Sequence, residues 1–182
     1  MNQQLIISGV GGQGILFITR LLAETAIHKG LPVLTSETHG MAQRGGIVVS
    51  HFKVGDFFSP LVRPGQADGL LSLKAETVAL HRHFLKENGW IVANAAPLSL
   101  VETGHPLAAM DADAAALAMG NPQLVNLMIL GLALAEPERL FCTAADVERT
   151  IGRKLAGKQK ELETAMVAFR TGLEARGKGV KE

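Results

Sequence analysis

Residues 5–18 read LIISGVGGQGILFI, and the fold follows from this stretch. The apolar run Leu5-Ile6-Ile7-Ser8 has the length and composition of a buried strand. It stops at Gly9-Val10-Gly11-Gly12-Gln13-Gly14, after which Ile15, Ile18, Leu22 and Ala26 recur at the spacing of one helix face. Gly30 stands where that helix should end. Leu31-Pro32-Val33-Leu34-Thr35 then reads as a second strand, with Pro32 near its start, where a missing ladder donor is tolerated. Strand, glycine turn, helix and strand within about 30 residues predict a right-handed βαβ unit.

Outward from this unit the pattern changes. Glu37 to Gly46 is a polar, glycine-rich loop, followed by a strand over Ile47–Val54 and a turn at Gly55-Asp56 into Phe57-Phe58. This predicts a β-hairpin that extends or flanks a parallel sheet. Asp68–Leu73 is a further buried strand, a helix is expected over about residues 75–87 with Gly89 ending it, and Trp90–Asn94 is the next strand. The second half reads as helical. Ala108–Met119 and Leu124–Ala135 are separated by Gly120-Asn121-Pro122, and Thr143 with Asp146 makes a capping box for a helix to about residue 151. Leu162, Met166, Phe169 and Leu173 form a stripe on a charged C-terminal helix. The expectation is one α/β domain over residues 1–182: a Rossmann-like, mostly parallel sheet with helices on both faces, a β-hairpin insertion and a helical C-terminal part.

Composition excludes several function classes. In 182 residues, 47% are apolar and 19% charged, the balance of a globular protein. The net charge of +1 gives no global field for nucleic acid or membrane, and with seven Phe, one Trp and no Tyr there is no base-stacking platform. A single cysteine, Cys142, cannot build a disulfide, a four-cysteine zinc site or an iron–sulfur cluster within the chain. Its place beside Phe141 before a helix cap reads as a buried structural thiol. The N-terminus has no basic region of a signal peptide, and the most apolar run is too short for a bilayer core, so a cytoplasmic chain is expected.

Two stretches could carry chemistry. Gly9-x-Gly11-x-x-Gly14 between strand and helix has the context of a phosphate-cradling turn, where glycines let the backbone approach a diphosphate at the helix N-terminus. The same pattern also serves simply to pack helix on strand. The loop from Glu37 to Gly46 holds Glu37, His39, Gln43 and Arg44 among glycines, at the strand end where open α/β sheets place their sites. Arg44 offers a planar fork for carboxylate or phosphate, and His39 a proton shuttle near neutral pH. Alternatively, Glu37 and Arg44 pair locally and the glycines only shape a turn. His28, His51 and His105 are isolated, and His81 and His83 sit two apart on a predicted helix, facing different ways. No metal site, nucleophile elbow or phosphate-loop lysine is present.

The pair of motifs, Gly9 to Gly14 and Glu37-Thr38-His39-Gly40-Met41-Ala42-Gln43-Arg44-Gly45-Gly46, resembles the gamma-type subunit of 2-oxoacid:ferredoxin oxidoreductases. The second motif is most similar to the small (beta) subunit of the indolepyruvate branch. Ser59-Pro60 and Gly65-Gln66-Ala67-Asp68 agree as well, so the matching stretch runs from residue 5 to about residue 73.

The resemblance implies a hetero-oligomer in which a large subunit carries thiamine diphosphate, Mg2+ and 4Fe–4S clusters and passes electrons to ferredoxin. This chain would hold no cofactor firmly. The implied reaction is coenzyme A-dependent oxidative decarboxylation of an arylpyruvate to acyl-CoA, CO2 and reduced ferredoxin. Gly9, Gly11, Gly12 and Gly14 would receive the coenzyme A diphosphate or a partner segment. Glu37, His39, Gln43 and Arg44 would lie near the shared active site, with Gly40, Met41, Gly45 and Gly46 at the partner interface. Two other readings stay open: a free-standing NAD(P)- or flavin-binding oxidoreductase with Glu37 on the ribose, and a non-catalytic assembly subunit.

Overall fold

A computed structural model describes residues 1–39, 45–96 and 104–175. The run at residues 5–8 is the middle of β1 (Gln3–Val10), whose Leu5, Ile6, Ile7 and Ser8 are all fully buried. A strand covered on both faces needs apolar residues at successive positions, and this one has them. The glycine turn leads into α1 (Ile15–His28), and β2 (Val33–His39) follows. The sheet has six strands in the order β2-β3-β1-β4-β5-β6, with β3 (Ile47–Val54), β4 (Ala67–Ser72), β5 (Leu85–Asn94) and β6 (Leu107–Met110). Five strands point one way, and β3 alone runs antiparallel to its neighbours β1 and β2. The expected Rossmann-like α/β class, mostly parallel with a hairpin insertion, holds.

Three local expectations are corrected. The hairpin does not flank the sheet: β2 and β3 form it, and β3 inserts between β2 and β1, while Phe57-Phe58 is no strand. A strand from an adjacent hairpin pairs at little loop cost, so β3 takes the edge of β1 that a second βαβ crossover would have filled. The helix expected to residue 87 ends early. It is α2 (Glu76–His81), followed by one 3-10 turn over Arg82–Phe84. Gly89 lies inside β5, where a register shift lets Leu85 pair with Ala67 and Trp90 with Gly69. Gly69 is required there, since a Cβ would stand 2.2 Å from the Trp90 ring. Finally, Leu107–Met110 is β6, not helix: pairing with β5 overrides the helix propensity of alanine, and α3 (Ala112–Ala118) begins only after the Asp111 cap.

Helices cover the two faces unequally. One face buries Leu5, Ile7, Phe52, Leu71 and Val92 under α1 and α4 (Val125–Leu134). The other buries Ile6, Leu70, Ile91 and Ala93 with Val62 and with Val78 of α2. Every residue of α4 from Val125 to Ala133 is buried, so it has no polar face. It lies between the sheet and α6 (Gln159–Glu174), which forms an outer layer with α5 (Ala144–Lys154). The stripe on α6 is centred on Ala165, Ala168, Phe169 and Gly172. At the crossing the backbones nearly touch. A Cβ on Gly172 would fall 1.9 Å from the Met128 carbonyl oxygen, and one on Gly131 would fall 2.1 Å from that of Phe169.

The predicted capping box is present. Thr143 Oγ1 accepts from Asp146 N at 3.3 Å, and Asp146 Oδ2 accepts from Thr143 N at 3.0 Å. Lys29 Nζ, at 2.9 Å, and Arg149 also bind this carboxylate. These donors, the Thr143 N–H foremost, hold the Asp146 carboxyl well below the usual carboxylate range despite its burial.

Two stability predictions follow from these contacts. Gly172→Ala gains about 1 kcal/mol of helix propensity but overpacks the crossing, for a net loss of about 1–2 kcal/mol in urea unfolding. An unchanged midpoint would mean that α6 slides freely on α4. A depressed carboxylate pKa stabilises fully above the unfolded value of about 3.9, and that contribution is lost as pH falls through the folded value. Asp146→Asn should therefore cost about 1–2 kcal/mol at pH 7, with the deficit shrinking by pH 3. Urea midpoints at the two pH values measure it.

Candidate functional site at the β1–β4 switch

After β1 the chain turns onto one face as α1, and after β4 it turns onto the other as α2. The carboxyl ends of β1 and β4 are therefore a switch point, the crevice where open α/β sheets place ligands. Here the protein's own polar groups bridge that crevice. The Gln13 side chain folds back, accepting from Val10 N at 2.8 Å through Oε1 and donating from Nε2 to the Leu73 carbonyl at 2.9 Å. The same carbonyl accepts from Asn94 Nδ2 at 3.1 Å, and Asn94 Oδ1 accepts from Ala112 N at 2.9 Å. Behind it, Ser8 Oγ and Ser72 Oγ both bond to Thr77 Oγ1, at 3.0 and 2.8 Å. Ser8, Ser72, Thr77 and Asn94 are all buried, so each needs these partners.

The four motif glycines have separate tasks. A Cβ on Gly9 would lie 2.7 Å from Gln13 Oε1 and 3.0 Å from Leu73 Cβ, so its smallness admits the glutamine. Gly14 caps α1 at φ 80°, and a Cβ there would meet Asn126 Nδ2 at 2.1 Å. Gly11 N donates to the Gly46 carbonyl at 2.9 Å, so the two sequence motifs meet through their backbones. Gly12, at φ 100°, has nothing within 4 Å of a Cβ. Beside Gly12 and Gly14 opens a cleft of about 340 Å³, lined also by Phe17, Asn121, Gln123, Asn126 and, as its one acidic residue, Glu161. Among the described residues, the N–H groups of Gly12, Gly14, Ile15 and Leu16 have no acceptor.

Glu37 is exposed on β2, in register with Ser50 of β3. With β3 interposed, it stands two strand spacings, about 9–10 Å, from β1. A ribose-binding acid must be on the strand beside the glycine turn, so Glu37 is misplaced for a dinucleotide. His39 closes β2 opposite Val48. Gly45, at φ 108°, adjoins Gly11, whose Cβ would lie 3.6 Å from Gly45 N. Gly40, Met41, Gln43 and Arg44 lie outside the described residues.

Sequence reasoning missed Gln13, Asn94, Ser8, Ser72 and Thr77. A signal for three of them was present: β1, β4 and β5 are apolar runs ending in Ser8, Ser72 and Asn94, polar residues at nearly the same level of the sheet. Cys142 is buried, and burial pushes its thiol up to about 12, as befits the structural thiol expected from the sequence. His51 is a satisfied core histidine, its Nδ1 accepting from Val62 N at 3.2 Å. Among the described residues no helix is long and apolar enough to cross a membrane. Gln13→Ala should strand the Val10 N–H and half of the Leu73 bonding. The expected cost is about 1–3 kcal/mol in chemical unfolding, and a neutral effect would show the bridge to be dispensable.

The family model described as pyruvate ferredoxin/flavodoxin oxidoreductase matches residues 4–175. Relatives from four organisms bear the name indolepyruvate oxidoreductase subunit IorB, two of which illustrate the match. That of Archaeoglobus fulgidus is 40% identical over 94 residues, 52% of this chain and 47% of the relative. That of Pyrococcus horikoshii is 31% identical over 193 residues, 94% of each chain. A keto/oxoacid ferredoxin oxidoreductase gamma subunit from Geobacter sulfurreducens shares the fold, with TM-score 0.77 and 24% identity over 95% of this chain and 97% of that one. All of this chain also superposes on 32% of the chain of a 2-oxoglutarate:ferredoxin oxidoreductase from Magnetococcus marinus with 2-oxoglutarate, coenzyme A and succinyl-CoA bound, with TM-score 0.80 and 18% identity. With nearly the whole length matched by one family model and by full-length relatives, the chain belongs to the pyruvate ferredoxin/flavodoxin oxidoreductase family.

Proposed function

We propose that the chain is the small, gamma-type subunit of a cytoplasmic enzyme that oxidatively decarboxylates an arylpyruvate, such as indolepyruvate, with coenzyme A. Acyl-CoA, CO2 and reduced ferredoxin are the products. The observation that carries this reading is the similarity along 94% of the chain to a relative named as an indolepyruvate oxidoreductase subunit. The donor set agrees with it. One cysteine cannot supply the ligands of an iron–sulfur cluster, and in this reading the clusters, with thiamine diphosphate and Mg2+, belong to a large partner subunit. Thiamine diphosphate supplies the carbanion chemistry of decarboxylation.

In this reading the chain's own part is binding and positioning. The free N–H groups at Gly12, Gly14, Ile15 and Leu16 and the cleft beside them suit a coenzyme A diphosphate better than the bridged crevice at Gln13 does. The Magnetococcus enzyme, a structural neighbour, binds coenzyme A, and this supports a coenzyme A role for the fold. Arg44 would pair with a carboxylate or phosphate, His39 would move a proton, and Glu37 and Gln43 would complete the loop's face toward the shared site. Gly40, Met41, Gly45 and Gly46 would pack against the large subunit. The bond between Gly11 and Gly46 favours this arrangement, because it ties the loop to the turn.

Tagging the chain in its host and purifying it anaerobically tests the proposal. A large partner with iron–sulfur absorbance and thiamine diphosphate is expected, and a colourless homo-oligomer would refute it. In the assembled complex, Arg44→Ala should lower arylpyruvate oxidation by about 10-fold or more, the size expected for a lost charge-assisted contact. Gly12→Leu should raise the apparent KM for coenzyme A. If the complex forms and neither parameter moves, the chain is an assembly subunit.

A further inference from the structure

The opposite end of the sheet carries a groove that the proposed function leaves unused. On β3, the alternation that sends Phe52 into the core under α1 sends Lys53 to the other face. There the segment of residues 55–66 crosses over the sheet. Gln4, Lys53, Phe57, Phe58, Arg63 and Gln66 line an open groove of about 530 Å³ between them. Lys53 is only 7% exposed. Its ammonium lies 5.0 Å from the centre of the Phe57 ring, but among the described residues it has no hydrogen bond and no carboxylate. The charge that acts on it is another cation, Arg63, and burial and this neighbour together push the lysine pKa down. Asp68, two strands away on β4, is already engaged by Lys86 and by Gln4 N at 2.7 Å. On the rim, Phe58 is fully exposed and Leu61 is 51% exposed.

The Lys53 stem is buried while its ammonium opens into the groove beside a second cation, two like charges that an anion from outside would offset. A small free anion would satisfy the cations but leave Phe58 and Leu61 in water. An exposed aromatic beside an arginine has the composition of an interface, and the two cations without a counter-charge call for an acidic partner. We infer that this groove docks an acidic, apolar-flanked segment of the large partner subunit, its carboxylate lying between Lys53 and Arg63 and its apolar side chains covering Phe58 and Leu61. The inference rests on the proposed place of this chain in a two-subunit enzyme. It adds a second contact at the end of the sheet away from the glycine turn.

The test is co-expression with the large subunit, followed by dissociation constants across a salt series. Lys53→Met keeps the buried stem, while Arg63→Gln and Phe58→Ser alter exposed residues that the isolated fold does not need. Each should weaken the complex about 10-fold or more, and the two charge variants should flatten its salt dependence. The isolated Lys53→Met chain should melt no lower than the parent, since it loses an uncompensated charge; a purely structural lysine would give the reverse. Parental affinity and salt dependence in all three variants would overturn the inference, as would weakening confined to a Lys53→Met chain of lowered melting temperature. Self-association of the isolated chain that Phe58→Ser abolishes would assign the groove to a second copy and overturn it too. If the parent chain captures no large subunit, the proposed function fails and the inference falls with it.

Discussion

The carbonyl of Leu73 accepts two side-chain amides, from Gln13 and Asn94, and much of the architecture meets at that oxygen. Gln13 belongs to the turn between β1 and α1, Leu73 follows β4, and Asn94 ends β5 while also receiving the first N–H of α3. Buried polar groups at the ends of parallel strands must be paired, and here they pair with one another. A glycine turn of this sequence is usually thought of as an open cradle. In this protein its inner side is filled by the glutamine, and among the described residues it is the side toward Gly12 and Gly14 that keeps free donors and open space.

The reversed strand β3 has the next largest consequence. By pairing with both β1 and β2, it moves β2 and the head of the glycine-rich loop one strand outward. That displacement removes Glu37 from the position of a ribose-binding acid and leaves His39, where the glycine-rich stretch begins, at the end of the edge strand. The loop nevertheless stays tied to the turn through the Gly11–Gly46 bond. Distance along the sheet and connection through the backbone are thus set separately.

The unequal covering of the sheet accounts for the remaining surface. Two layers of helices lie on one face, with α4 wholly enclosed because Gly131 and Gly172 allow α6 to approach to backbone contact. Among the described residues, the other face has α2 and the segment of residues 55–66 over it. A thin cover can bury the stem of Lys53 without enclosing its charge, so the cation opens into a groove instead of finding an internal partner.

What the sequence by itself determined is local and periodic. The strand, turn and helix of residues 5–28, the capping box at Thr143 and Asp146, and the enclosed helix at Leu124–Ala135 were all legible. Each depends on residues within a few positions of one another, where spacing and hydrogen-bonding chemistry act directly. The two motifs of the candidate site were legible as glycine-rich stretches at strand ends. The roles of Gln13 and Asn94 were not, because the carbonyl that joins them comes from a third stretch of chain. The tertiary structure alone decided that β3 lies between β1 and β2, that the alanines of residues 107–110 extend, and that Gly89 sits in a strand. In each case pairing with a strand distant in sequence outweighed local propensity. That preference is worth only tenths of a kcal/mol per residue, against backbone bonds that a buried sheet cannot leave unmade.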